Sequence, residues 1–358
     1  MKKGFGKDCL KVGVLFVWLI LVTSPTSVVG DHQCTCEEEE ESEGGEEAAS
    51  LALKYKIAAL ASILVAGAMG VSIPMLGKSK SFSALSPERD LFFIIKAFAA
   101  GVILSTAFIH VLPDAFEKLT SPCLKEHPWG DFPFTGFVAM ISAIGTLMVD
   151  SLATAYFDYN NNNNVHRQEN MEEGAVDHHV HLHAHASTST SSSHSTQLLR
   201  HRVISQVLEI GIVVHSVIIG ISLGACENAK TIKPLIAALT FHQFFEGMGL
   251  GGCISQAKFK RRAVVTMALF FTLTTPVGIA IGIGITKAYK ENSPRALIVE
   301  GVLNAASSGI LIYMSLVDLL APDFINSRLQ HSGRLLQFGA YASLLLGAAS
   351  MSVLAKWA

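Results

Sequence analysis

The chain has 358 residues, of which 50% are hydrophobic and 16% charged, with a formal net charge of −2; its mean hydropathy is +0.42. So apolar a composition excludes an ordinary soluble enzyme and points to one membrane domain with polar appendages. The near-neutral charge and the lack of any basic groove pattern exclude nucleic acid as a partner.

At the amino terminus Lys2, Lys3, Lys7 and Lys11 precede an apolar core from Val12 to Val22, and small residues follow from Thr23 to Gly30. This order predicts a signal peptide over residues 1–30, cleaved near Gly30, with the mature end outside the cytosol. An uncleaved first helix is the alternative, for which the apolar run is short. Residues 31–54 form an extracellular acidic tail. In it Asp31, His32, Cys34, Cys36 and the run Glu37 to Glu41 would either capture metal loosely or remain a solvated charge block. The six cysteines of the chain show no zinc-finger spacing.

A window of about 20 apolar residues, the length that crosses a bilayer, finds eight candidates. They are Tyr55–Leu76, Leu91–Leu112, Phe132–Tyr156, Val203–Cys226, Ile232–Ile254, Ala263–Thr286, Leu297–Leu320 and Leu335–Val353. The fold class is therefore all-α, a polytopic membrane protein with eight transmembrane helices after a cleaved signal peptide. An even number of spans returns the carboxyl end to the outside. Lys78, Lys80, Arg89, Arg200, Arg202 and the cluster Lys258, Lys260, Arg261, Arg262 then fall on the cytosolic side, as the positive-inside rule asks. Lys96, inside the second span, is read as a lysine that snorkels to the interface. Asp150 and Glu300, near span ends, are read as interfacial. The second span ends His110-Val111-Leu112-Pro113-Asp114 and the seventh Asp318-Leu319-Leu320-Ala321-Pro322-Asp323. This echo between two opposed segments suggests an inverted repeat of the kind that flanks a midplane site in transporters. Proline with a nearby acid also marks helix ends in general, so coincidence is the competing account.

Three units follow from these boundaries: helices 1–3 over 55–157, a cytosolic loop over 158–202, and helices 4–8 over 203–358. The loop carries five asparagines at Asn160 to Asn164, a serine/threonine run, and His178, His179, His181, His183 and His185. Such a composition cannot bury a core and predicts disorder. Closely spaced histidines bind zinc, copper or nickel loosely, although a solvated spacer would look the same.

The fourth and fifth spans hold the chemistry. One contains His215-Ser216-Val217-Ile218-Ile219-Gly220, the other His242-Gln243-Phe244-Phe245-Glu246-Gly247. His242 and Glu246 are four residues apart and share a helix face. An ionisable residue at membrane depth is costly, so a functional role is its default reading. Two imidazoles and a carboxylate make a borderline-soft site suited to zinc or ferrous iron. Mutual neutralisation of His242 and Glu246, or a proton relay, would use the same residues without metal. Gly220 and Gly224, and Gly247 and Gly251, are expected to let these two helices approach closely around a shared site.

These two stretches, His215 to Ala225 and Thr240 to Ile254, together with Ala107-Phe108-Ile109-His110-Val111-Leu112-Pro113-Asp114, resemble the plant branch of the ZIP (zinc- and iron-regulated transporter-like) family. The likeness covers essentially the whole mature chain. It implies an eight-helix fold and uptake of divalent metal into the cytosol, with metal ions as substrate and no cofactor. It also implies that His110 and Asp114 lie at the outer mouth and Asp318 and Asp323 towards the cytosolic exit. Better-known members read His-Asn-x-Pro-Glu-Gly in the fourth helix, around two adjacent metals. Here Ser216 replaces the asparagine, Ile219 the first glutamate, and Gln243 stands where an acid can occur. The first site thus survives as His215, His242 and Glu246, completed by water, with Ser216 and Gln243 as supporting neighbours; the second is dismantled.

The expectation is a carrier of Zn²⁺, or of Fe²⁺ or Mn²⁺, with the lipid bilayer as its surroundings and a homodimer as the assembly considered. The signal peptide implies the secretory route. The resemblance suggests the plasma membrane, with an endomembrane as the alternative. A membrane metalloenzyme is disfavoured by the lack of His-Glu-x-x-His and of a nucleophile; a metal-sensing receptor would use the long loop as its output.

Overall fold

A computed structural model describes residues 45–77, 89–172, 188–285, 293–325 and 333–356. The expected signal peptide, most of the acidic tail and all five loop histidines lie outside the described residues. Among those described, the chain is helical and contains no strand. The long helices are α1 (Gly45–Leu76), α2 (Asp90–Leu119), α3 (Phe134–Glu172), α4 (Thr188–Ala225), α5 (Ala229–Gln256), α6 (Arg261–Ile285), α7 (Pro294–Phe324) and α8 (Arg334–Ala355). A one-turn helix, Glu126–Trp129, sits between α2 and α3.

Of these, 7 are long and apolar enough to cross a membrane. The exception is α5, which has the length, at 28 residues, but mixes Lys230, Lys233, His242, Gln243 and Glu246 into its sequence. Large apolar side chains face outward on α3 and α8, among them Leu152, Leu335 and Phe338. The polar ones are inside: His215, Ser216, His242, Gln243, Glu246, Ser307, Ser308 and Asp318 are all buried. Lipid takes the place of water on the outer face, so the usual polarity is inverted.

Helix ends are set locally. The Asn228 side chain accepts from Lys230 N at 2.9 Å and caps α5; Ser293 accepts from Ala296 N at 3.3 Å and caps α7, with Pro294 at its first position. At its other end α5 is held by Arg202, whose Nε donates to Ala257 O at 3.1 Å.

Glycines decide which helices pair. A Cβ on Gly70 would stand 2.2 Å from Phe244 O, and one on Gly251 2.5 Å from Val71 O, so α1 lies directly on α5. Gly224 and Gly282 cross in the same way between α4 and α6, Gly101 and Gly347 between α2 and α8, and Gly309 meets Ala139 between α7 and α3. Helix backbones come this close only where no side chain intervenes. The expectation that Gly220, Gly224, Gly247 and Gly251 join α4 to α5 is therefore corrected. Gly220 and Gly224 face α6, and Gly247 and Gly251 face α1. Glycine spacing announces a close neighbour without naming it, and the facing sides of α4 and α5 are filled by histidine side chains instead.

The echo between α2 and α7 has a structural counterpart. Each helix widens into a π-helical segment, Thr106–Val111 in α2 and Met314–Leu320 in α7, just before its proline, Pro113 or Pro322. Proline lacks the N–H and its ring clashes with the carbonyl four residues back, which favours such widening. The two helices run antiparallel along their length. Ser308 donates to Ala107 O at 3.1 Å, Ser315 donates to Ala100 O at 2.8 Å, and Lys96 meets Asp323 at 2.8 Å.

The segment 158–202 departs from expectation at its flanks. Helical backbone continues through the asparagine run to Glu172 and begins again at Thr188. Extending an existing helix adds a bond per residue without a new nucleus, which outweighs the weak propensity of asparagine.

Candidate metal centre

His215 projects from α4 and His242 and Glu246 from α5. Each offers a ligand atom, and these atoms lie within 4.8 Å of one another. The two imidazole rings stand 5.7 Å apart between centroids at 48°. All three residues are at most 2% exposed. His215 Nε2, His242 Nδ1 and both Glu246 oxygens have no hydrogen-bond partner among the described residues. A carboxylate buried without a donor is among the most costly groups a fold can contain. A divalent cation would satisfy it together with both imidazoles, as two nitrogens and one oxygen with a coordination position left open.

Ser216 lies one residue on from His215 and is buried, its Oγ without a hydrogen-bond partner among the described residues. Gln243 turns elsewhere. Its Oε1 accepts from Thr275 on α6 at 3.3 Å and it abuts Gly67 on α1, so it ties α5 to its neighbours. Adjacent helix residues point about 100° apart, which is why His242 and Gln243 serve different faces.

His110 emerges from the π-helical segment of α2 with both ring nitrogens buried and without a hydrogen-bond partner among the described residues. It is near enough to His215 and His242 to act on both electrostatically. Asp114, one turn further, is exposed beside Glu117, Lys118 and Glu300. Glu300, read as merely interfacial, pairs with Lys118 and joins the same ends of α2 and α7. Asp150 likewise has a structural task, accepting from Tyr313 Oη at 3.1 Å where the π-helical segment of α7 begins.

Asp318 is buried in that segment, and Asp323 follows in the last turn of α7. The reading of Lys96 as a snorkelling lysine is corrected. Its side chain is 6% exposed and its Nζ lies 2.8 Å from Asp323 Oδ2. The face of α2 that carries it is turned to α7, so the ammonium finds a carboxylate inside before it can reach water. One residue escaped the sequence reading. Glu209 is an ionisable residue inside α4 that membrane depth alone should have flagged. Cys253 lies on the His242 and Glu246 face of α5, a relation that helical counting would have found.

Comparison with known proteins supports one placement. The family model described as ZIP Zinc transporter matches residues 53–355. The chain is 51% identical to zinc transporter 8 of Oryza sativa subsp. japonica, over 90% of this chain and 92% of that protein. It is 53% identical to zinc transporter 3 of Arabidopsis thaliana, over 91% and 89%. With Fe(2+) transport protein 1 of Oryza sativa subsp. japonica the identity is 51%, over 86% and 85%. A family model that runs from within α1 to the end of α8, and relatives alike over most of their length, lead to one conclusion: the chain belongs to the ZIP zinc transporter family.

Proposed function

We propose that this protein carries Zn²⁺, and with it Fe²⁺ or Mn²⁺, across a membrane into the cytosol, through a midplane site made of His215, His242 and Glu246. The single observation behind this reading is the cluster itself: three ligand atoms within 4.8 Å, buried, with neither oxygen of Glu246 engaged. An arrangement that is unfavourable when empty and satisfied by a divalent cation is what a passing ion requires. One carboxylate and two neutral imidazoles hold it without the charge of a closed two-metal site, which favours release. The names of the relatives, zinc transporters and an Fe(2+) transport protein, agree with this cargo.

In this reading α5 is the eighth span, shielded from lipid. It is 28 residues long, about 42 Å at 1.5 Å per residue, and it runs beside α1 from Ser62 and Thr240 to Val71 and Gly251. Spans that alternate in direction put α1 parallel to α5 and α2 antiparallel to α7, in accord with the contacts of both pairs. Both chain ends then lie outside the cytosol. His110 and Asp114 receive the ion at the outer mouth, and Asp318 and Asp323 stand on the exit side. Ser216 lines the site, and Gln243 holds α5 in register. The histidines of the loop, His178 to His185, bind metal on the cytosolic side without shaping the route. The plasma membrane is the proposed home.

Zinc uptake by purified protein in sealed lipid vesicles tests the reading. Time-dependent accumulation of radioactive zinc, lost in His242→Ala, is the expected result. Zinc binding without accumulation would replace the carrier with a sensor.

A further inference from the structure

No acidic residue occurs between Glu246 and Glu291, a stretch that carries Lys258, Lys260, Arg261 and Arg262 close together. The structure places these cations where α5 gives way to α6. Only Ala257 to Lys260 lie between the two helices, and all four basic side chains are exposed. No carboxylate pairs with any of them among the described residues. Arg261 and Arg262 open α6, one of the helices apolar enough to cross a membrane, so the connection lies at the level of the lipid headgroups. So short a connection cannot carry its charges away from that level.

The shape of this turn is fixed from α4. Arg202 donates from Nε to Ala257 O at 3.1 Å and sets its guanidinium 5.8 Å from the centre of the Phe259 ring. Phe259 packs against the apolar core, which leaves Lys258 and Lys260 exposed on either side of it. The charges also sit where the chain itself disfavours them. Lys258 has φ 48°, in the left-handed region that favours glycine. Lys260, Arg261 and Arg262 crowd the start of α6, where no acid stands in the first turn and the positive end of the helix dipole repels cations. The positive-inside rule accounts for the sign of these charges, but not for a braced turn that gathers them without a counterion. Anionic headgroups relieve both repulsions, and a membrane surface supplies them. We propose that this turn is a docking site for the anionic headgroups of phospholipids in the cytosolic leaflet, bound by Lys258, Lys260, Arg261 and Arg262 and kept in shape by Arg202 and Phe259. Its use follows from α5, which carries His242 and Glu246 and is the long helix not apolar enough to hold its own depth in a bilayer. A headgroup gripped at its end fixes that depth. The choice of leaflet rests on the orientation proposed above; the binding itself does not.

The test is lipid retention by the purified full-length protein, counted by native mass spectrometry from mixed micelles of phosphatidylserine and phosphatidylcholine in neutral detergent. The natural chain should retain phosphatidylserine about tenfold better, and less so as ammonium acetate is raised. Lys258→Gln/Lys260→Gln/Arg261→Gln/Arg262→Gln should hold the two lipids equally, and Arg261→Gln alone should weaken the preference about fivefold, the effect of about 1 kcal/mol per cation. Should the fourfold variant insert wrongly, Lys258→Gln/Lys260→Gln, which keeps both arginines, should lose preference in the same direction. Lys230→Gln/Lys233→Gln, at the opposite end of α5, should keep it whole. Equal retention of the two lipids by the natural chain overturns the proposal, as does an unchanged preference in the fourfold variant or an equal loss in Lys230→Gln/Lys233→Gln. Binding of inositol hexakisphosphate with no preference for phosphatidylserine would make a soluble polyanion the occupant and overturn it as well. Zinc uptake takes no part in this readout, so a failure of the transport reading would leave the docking site standing.

Discussion

Gly70→Ala is the perturbation that best separates helix packing from metal chemistry. Gly70 faces the backbone carbonyl of Phe244, and a Cβ there would approach its oxygen to 2.2 Å. Ordinary contact begins at 3.4 Å, so α1 and α5 must part by about 1.2 Å. A backbone carbonyl in a helix cannot swing aside as a flexible side chain can, and the strain should cost about 1–3 kcal/mol. Phe244 stands between His242 and Glu246, so the displacement carries both ligands with it. A metal site tolerates errors of about 0.2 Å in its ligand distances, several times less than this movement. Gly347→Ala on α8 is the matched control: its Cβ would also stand 2.2 Å from a backbone oxygen, that of Phe98, and α8 contributes no residue to the cluster. Thermal unfolding in detergent and zinc uptake into vesicles give the two readouts. Both variants should melt at lower temperature by similar amounts, while Gly70→Ala alone should raise the Michaelis constant by at least tenfold, about 1.4 kcal/mol. Equal uptake constants in the two variants would refute the link between the α1–α5 crossing and the site.

Five further outcomes are expected. His242→Ala should abolish uptake in a folded, delivered protein, since losing one ligand in a dry cavity costs several kcal/mol; normal uptake velocity and affinity would remove it from the site. Glu246→Gln should unfold at higher temperature than the natural chain when a chelator is present, because a neutral amide replaces a buried carboxyl group that has no donor among the described residues. The same variant should lose the stabilisation by added zinc, and an unchanged zinc-induced shift would count against the assignment. Deleting residues 177–185 should leave maximal uptake near normal, measured in a correctly localised protein; complete loss would put the loop on the route. Ile219 packs one turn from His215, beside the apolar residues of α1, α5 and α6, so Ile219→Glu should lower both the Michaelis constant and the maximal rate by adding an anion near the ion, with unchanged affinity showing that the residue faces elsewhere. Uptake by this variant and by the natural chain should fall as pH is lowered, because protons compete with metal for imidazole and carboxylate alike.

Membrane class, seven apolar helices and the candidate ligands were legible in the sequence because each is a local property. Apolar runs of bilayer length, a His and a Glu four residues apart, and proline beside an acid need no knowledge of what lies opposite. The same local logic misjudged Lys96, whose long side chain would satisfy itself in water or on a carboxylate according to which helix stands against it. It also paired the glycines of α4 and α5 with each other, when their partners are Gly282 on α6 and Gly70 on α1. A missing side chain permits close approach by any helix, so only the assembled bundle chooses. The echo between His110 to Asp114 and Asp318 to Asp323 was visible as letters, but its meaning, matching π-helical segments on antiparallel helices, arose only when α2 and α7 lay side by side. What sequence decided was which groups are too polar for lipid; what tertiary structure decided was which of them face one another, since inside a low-dielectric bundle a charge is stable only beside its partner.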